Sequence, residues 1–345
     1  METKENRITD VVQQFTIPKI FKGTKRRLFK FEFLAMQWLK NVKLRVKESS
    51  YVKYYNIVKN HIIPDLGEQQ LEYLTTEVVE QFIQKKLQNG KRDGSGGLSE
   101  KTVKDILSIL KEICLYAVCW EIEIPCHFEL IKIKRNNQEV RILDKKNYLE
   151  FVQFLLDDNS FIKTGILLSL YMGLRLGEVC ALKRQHILYK EKILCVRGTM
   201  QRIQNTDSVG KKKTKVIITT PKSNSSVRDI PIPQFLMERL EKMKSFSEDT
   251  FILTGSTEHF IEPRTMENIL KRYLQKCEME QVNYHILRHT FATRCIEEGF
   301  DVKSLSEILG HSNVNITLNR YVHSSMEQKR KNMDKLLPCS GKLVL

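Results

Sequence analysis

Apolar residues recur at helical spacing in four successive segments between Phe31 and Trp120, and beyond about residue 140 an alternating pattern joins them. That change of period limits the fold to an all-helical part followed by a mixed one. Phe31, Phe33, Leu34, Trp38 and Leu39 suit one amphipathic helix. Tyr51, Tyr54, Ile57, Val58 and Ile62 suit a second, which Pro64-Asp65-Leu66-Gly67 ends. Thr75-Thr76-Glu77 opens a third, with Val78, Val79, Phe82, Ile83 and Leu87 facing inward. The glycine-rich tract at 89–97 reads as a flexible loop. Ser99-Glu100-Lys101-Thr102 then caps a fourth helix carrying Val103, Ile106, Leu107, Leu110, Ile113 and Ala117. Four helices in about ninety residues form a compact all-α domain.

A basic, extended stretch around Ile131–Asn137 has few apolar anchors and reads as a linker. After it, Asp144 to Leu156 and Ile162 to Met172 have helical patterns. Lys192 to Val196, Thr199 to Ile203 and Lys215 to Thr220 alternate and carry β-branched residues, as strands of a small antiparallel sheet do. Gly210 to Lys213 falls in a hairpin loop. Helices return at Pro233 to Lys244, Arg264 to Glu278 and His285 to Glu298, with shorter ones around Ser304 to Leu309 and Asn315 to His323. The expected class is α+β, mainly α. The expected division is a basic N-terminal arm (1–30), a helical domain (31–130), a linker (131–142), a mixed domain (143–323) and a C-terminal tail (324–345).

The formal charge of +16 points to a polyanionic partner, with nucleic acid ahead of an anionic membrane surface. The charged start, Met1-Glu2-Thr3-Lys4-Glu5, is no signal peptide. The densest apolar run, Ile166 to Met172, is too short to span a bilayer. Eight scattered cysteines form no Cys-x-x-Cys pair and lie mostly in apolar stretches, as reduced thiols of a cytoplasmic protein do.

Five short motifs carry the chemistry. Gly173-Leu174-Arg175-Leu176-Gly177-Glu178 interrupts an apolar helix with two glycines that bracket an arginine. Glycine lets the backbone turn tightly against a neighbour, and a guanidinium held there suits two phosphate oxygens. Glu178 is placed to pair with Arg175 or to orient a catalytic side chain; taken alone, a structural Arg–Glu pair at a helix start fits better. His285-Ile286-Leu287-Arg288 puts a proton carrier and a phosphate ligand on one helix face. His285 and His289 also stand at i and i+4, but the glutamate of His-Glu-x-x-His is missing and Arg288 would repel a cation, so the metal reading is weak. Leu309-Gly310-His311-Ser312 places His311 at a turn after a helix stop, and Tyr321 follows ten residues on, among basic neighbours. Lys222, in Thr219-Thr220-Pro221-Lys222-Ser223, lies at a strand end or on a hairpin.

Together, Gly-Leu-Arg-x-Gly-Glu, the Lys222 to Arg228 wording before Ile230-Pro231, His-x-Leu-Arg-His-Thr, Leu-Gly-His-Ser and a later Tyr-x-His resemble, in order, the tyrosine recombinases of the phage integrase family. The resemblance spans about residues 31 to 335 and extends to integrases of phages and conjugative transposons. It implies a SAM-like, core-binding N-terminal domain and a catalytic domain that together clamp duplex DNA at specific attachment sites. It also implies cleavage through a 3′-phosphotyrosine, with no cofactor or metal, by a homotetramer assembled on DNA, with excision or bending helpers as further partners. By position, Arg175 and Arg288 resemble the phosphate-clamping arginines. Lys222 resembles the lysine that protonates the leaving 5′ oxygen, and His285 and His311 the pair that assists proton transfer and binds phosphate. Tyr321 resembles the nucleophile and Glu178 the supporting acid. Where the family often has Trp and Asp soon after the first motif, this chain has Lys183-Arg184-Gln185-His186, so altered local packing is expected there. Two other readings stay open: relaxation of DNA in the manner of a type IB topoisomerase, and a catalytically inactive DNA-binding regulator.

Overall fold

The computed structural model describes residues 29–134, 141–206, 213–220 and 224–321, with 330, 333 and 334. The arm up to 28, linker residues 135–140, hairpin residues 210–212, Lys222 and nearly all of the tail lie outside the described residues. The chain divides into two compact units, Met1–Gln138 and Glu139–Leu345.

Among its described residues the first unit is mainly helical. Helix α1 is Phe31–Lys43, and α2, Glu48–Ile57, runs through a π turn at Val58–Ile62 into the short α3, Ile63–Leu66. Pro64 has no N–H for the carbonyl four residues back, and the wider turn takes up the mismatch just before it. Helices α4, Thr76–Asn89, and α5, Glu100–Tyr116, each start on a hydroxyl cap. The Val78 N–H donates to Thr75 Oγ1 at 3.4 Å and the Thr102 N–H to Ser99 Oγ at 3.2 Å, each supplying a partner for an otherwise orphaned helix-start donor. Phe31, Leu34, Trp38, Val58, Ile62, Phe82, Ile106, Leu110 and Ile113 form the core, while Tyr51, Val78 and Leu107 lie at its margin. The tract at 89–97 is a loop from residue 90 on, after α4 ends at Asn89. Its backbone closes on itself, the Lys91 N–H donating to Gly96 O at 2.9 Å and the Ser95 N–H to Asp93 Oδ1 at 3.0 Å.

The second unit opens with α6, Lys145–Leu156, and α7, Phe161–Met172. Helix α7 is buried on every side from Lys163 to Leu170, which is why its sequence shows no polar face. It ends at Gly173, whose φ of +65° lies in the left-handed region. A Cβ there would stand 2.6 Å from the Phe291 ring. Helix α8, Leu176–Ala181, follows at once.

Strands β1, Ile187–Leu188, β2, Ile193–Val196, and a later β5, Arg228–Pro231, make one antiparallel sheet in the order β1-β2-β5. Strands β3, Thr199–Gln204, and β4, Thr214–Thr219, make a separate hairpin with Thr199 opposite Thr219. The strands were thus rightly located but wrongly grouped: they belong to two sheets, not one. Alternation reports which residues face inward and says nothing of which strand is the neighbour. Gly177 carries α8 against β3, since a Cβ there would meet Thr199 Oγ1 at 2.5 Å. In the segment where the family pattern is departed from, Lys183 pairs with Asp249 at 2.7 Å and the Arg184 N–H donates to Thr250 O at 2.8 Å. That turn is therefore anchored by polar bonds. The remaining helices are α9, Gln234–Glu241, α10, Pro263–Lys276, α11, His285–Glu297, α12, Val302–Leu309, and α13, Val314–Tyr321. Phe291, Cys295, Leu305, Leu309 and Tyr321 form a small apolar cluster of their own among α11, α12 and α13. The seven described cysteines are all free.

Candidate active site

The site is built on the carboxyl end of α12. That helix stops at Gly310, φ +64°, and its last carbonyls have no helical donors. Three successive carbonyls there each accept from a different arginine. Arg228 Nε donates to Ile308 O at 2.5 Å, Arg288 Nη2 to Leu309 O at 2.6 Å, and Arg175 Nη2 to Gly310 O at 3.1 Å. The negative end of a helix favours cations, so it holds three like charges in one place. Arg288 also donates to Gly173 O at 2.7 Å, and in this way the left-handed turn after α7 fixes the buried guanidinium from the other side.

Glu178 is the carboxylate that balances them. Its Oε1 accepts from Arg175 Nη1 at 2.7 Å and Arg228 Nη1 at 3.0 Å; its Oε2 accepts from the Arg175 N–H and from Arg228 Nη2, both at 2.9 Å. Burial pushes its pKa up, but Arg228 and then Arg175 overcome that and hold it at about 2. Glu178 is therefore ionised at any ordinary pH. Burial and repulsion from Arg175 lower Arg288 to about 9, so it keeps its proton at neutral pH. Three guanidiniums against one carboxylate leave a net positive pocket suited to an anion.

Tyr321, the last residue of α13, is buried against this cluster. Its hydroxyl is 2.7 Å from His289 Nδ1, and its ring lies parallel to that of His311, with centroids 6.5 Å apart. Burial raises its pKa, while Arg288, Arg320 and Arg175 pull the other way. His311 bonds Thr317 Oγ1 at 2.8 Å through Nδ1. Burial, Arg288 and Arg175 bring it down to about 3, so it is neutral. His285 keeps part of its ring open to solvent, yet the protein packed around it and the charges of Arg288 and Arg175 lower its pKa.

Of the residues singled out in the sequence, the structure brings Arg175, Glu178, Arg288, His311 and Tyr321 together. His285 lies at the margin, one turn before His289 on α11, with ring centroids 6.2 Å apart. Lys222 lies outside the described residues. Two participants had no role assigned from sequence. Arg228 stood inside a recognised motif, and a signal was there: on β5 it shares the inward face with Ile230, and a buried charge needs a partner. His289 was weighed only as a metal ligand, and its Nδ1 is engaged by Tyr321 instead.

Residues 141–328 match the Phage integrase family, and residues 30–87 match the phage integrase N-terminal SAM-like domain. The chain is 28% identical to a Tyrosine recombinase XerC-like protein of Caldanaerobacter subterraneus, over 88% of this chain and 81% of that one. It is 24% identical to the ICEBs1 integrase of Bacillus subtilis, over 91% and 84% respectively. Its fold is similar to the Tn1549 transposon integrase in complex with a circular intermediate DNA, with a TM-score of 0.70 at 19% identity, covering 90% of this chain and all of that one. It is also similar to a lambda integrase dimer bound to a COC′ core site, with a TM-score of 0.63 at 17% identity, covering 85% and 96%.

Proposed function

The chain belongs to the phage integrase family and is a tyrosine recombinase that cuts and rejoins DNA strands of a mobile element; we propose that it does so through Tyr321. The observation that supports this reading best is a buried tyrosine whose hydroxyl feels Arg288 and Arg175, two of the three arginines gathered on one helix end.

In this reading Arg175 and Arg288 take the scissile phosphate. Attack by Tyr321 Oη forms an O–P bond as the bond to the 5′ oxygen breaks, and charge builds on the non-bridging oxygens. A fixed donor aimed at such charge commonly contributes about 3 kcal/mol of transition-state stabilisation. His285 and His311, both held neutral, line the phosphate as hydrogen-bond partners. Lys222 gives the departing 5′ oxygen its proton. The bond energy stays in the phosphotyrosine, so the reverse attack by a 5′ hydroxyl rejoins the strand without an external energy source.

Residues 31–130 serve as the core-binding unit and 143–323 as the catalytic one. The match of residues 30–87 to an integrase SAM-like domain favours exchange over simple relaxation. Exchange between two duplexes needs four cleavages, one tyrosine each, so four copies act together on two sites. A supercoiled plasmid without an attachment site should accordingly stay supercoiled.

A nicked suicide substrate carrying the element's end tests the nucleophile. The wild-type protein should become covalently attached and Tyr321→Phe should not. An adduct on Tyr321→Phe would place the nucleophile elsewhere, and no adduct on the wild type would favour a DNA-binding protein without catalysis.

A further inference from the structure

Among the described residues, the histidine that touches the nucleophile is neither of the two given roles above. His289 Nδ1 lies 2.7 Å from Tyr321 Oη, within the range a proton acceptor needs. His311 spends its Nδ1 on Thr317, and its ring faces the Tyr321 ring in parallel, without a hydrogen bond to the hydroxyl. His285 stands one helical turn away, on the far side of His289.

We propose that His289 is a further catalytic residue, the base that takes the Tyr321 proton as the hydroxyl attacks phosphorus. The proposal rests on Tyr321 being the nucleophile. The proton on Oη passes to His289 Nδ1, whose tautomer carries its own hydrogen on Nε2. The freed oxygen pair forms the bond to phosphorus, and the electrons of the broken bond leave on the 5′ oxygen, which takes its proton from Lys222. Rejoining runs the same transfers backwards, so both side chains return to their starting states.

The surroundings suit that task. His289 is half-buried on α11. It is faced by Tyr321 and Arg320 from α13, and by His285 and Arg288 from its own helix. Burial first, then Arg320, His285 and Arg288, lower its pKa to about 4. Above that value the ring is neutral and able to accept. The guanidiniums of Arg288, Arg320 and Arg175 meanwhile favour the tyrosinate that forms. An incoming phosphate adds negative charge beside the ring and makes it a stronger base at the moment it is needed.

The test is single-turnover cleavage of the nicked suicide substrate at saturating DNA, followed from pH 7 to 9. Wild type should be independent of pH, because His289 is already neutral. His289→Gln keeps the volume and a polar contact but cannot take a proton. It should cleave about a hundredfold more slowly at pH 7. Its logarithmic rate should climb with pH at a slope approaching one, since Tyr321 must then lose its proton to solvent. His289→Ala should behave alike and recover part of its rate in added imidazole.

A merely structural role would lower the rate without tilting the pH profile and without imidazole rescue, and that result overturns the proposal. So does a Gln variant that matches wild type in rate and profile while wild type forms its adduct, an outcome that leaves Tyr321 standing as nucleophile. A wild-type protein that forms no adduct removes both.

Discussion

Glu178 has almost no access to water, yet it holds a full negative charge between two guanidiniums. Its depressed pKa makes it a contributor to stability that depends on acid. In the unfolded chain a glutamate ionises near ~4.3, so its contribution is complete above that pH and disappears as the pH falls through about 2. A shift of this size corresponds to on the order of 3 kcal/mol. Urea unfolding at pH 7 and pH 3 should show Glu178→Gln losing part of its disadvantage to wild type at the lower value. Arg228→Met leaves the carboxylate with only Arg175 and should cost about 3–5 kcal/mol, as breaking a buried pair does. Adding Glu178→Gln to it should recover part of that loss. A double variant weaker by the sum of the two single losses would show that the two side chains act independently.

At this scale the sequence was legible wherever a motif fixed its own local turn. Arg175, Arg288 and Tyr321 lie where their neighbours implied. The partnerships of Arg228 and His289 were not legible, because each depends on residues far along the chain: Glu178 for the one, Tyr321 for the other.

Helix α12 carries consequences out of proportion to its eight residues. Its stop at Gly310 sets the direction in which three carbonyls point. A Cβ at Gly310 would approach Ser225 O at 2.9 Å and Arg228 Cδ at 3.0 Å, on a backbone with positive φ. Gly310→Ala should therefore destabilise the protein by about 1–2 kcal/mol. It should also slow adduct formation more than it weakens DNA binding, because it moves the arginine seats and spares most phosphate contacts. Equal losses in both would argue against that view of the turn. Helices were readable from the sequence because their caps and apolar faces are local: Thr75 and Ser99 both cap as their residue types suggest. Strand partnership was not. Nothing in Ile193–Val196 announces that it pairs with Arg228–Pro231 across the intervening hairpin.

For the molecule as a whole, the charge of +16 predicts that binding to duplex DNA weakens steeply with salt. If about six to ten phosphates are contacted, affinity should fall by roughly 10³–10⁵ between 50 and 200 mM salt. Fluorescence anisotropy with a labelled duplex would measure it, and a nearly flat dependence would mean that backbone contacts are few. The two-unit plan was legible at this scale as a change in hydrophobic period, since that period reports on burial along the whole chain.

The three arginines on Ile308, Leu309 and Gly310 bear on how such a protein survives before it meets DNA. Cations crowded for a phosphate should repel one another when none is present, and the helix end relieves them by standing in as a resident counter-ion. Binding then adds an anion to positive groups already in register. The free enzyme waits with its surplus positive charge held in place, and the substrate inherits a site that it does not have to assemble.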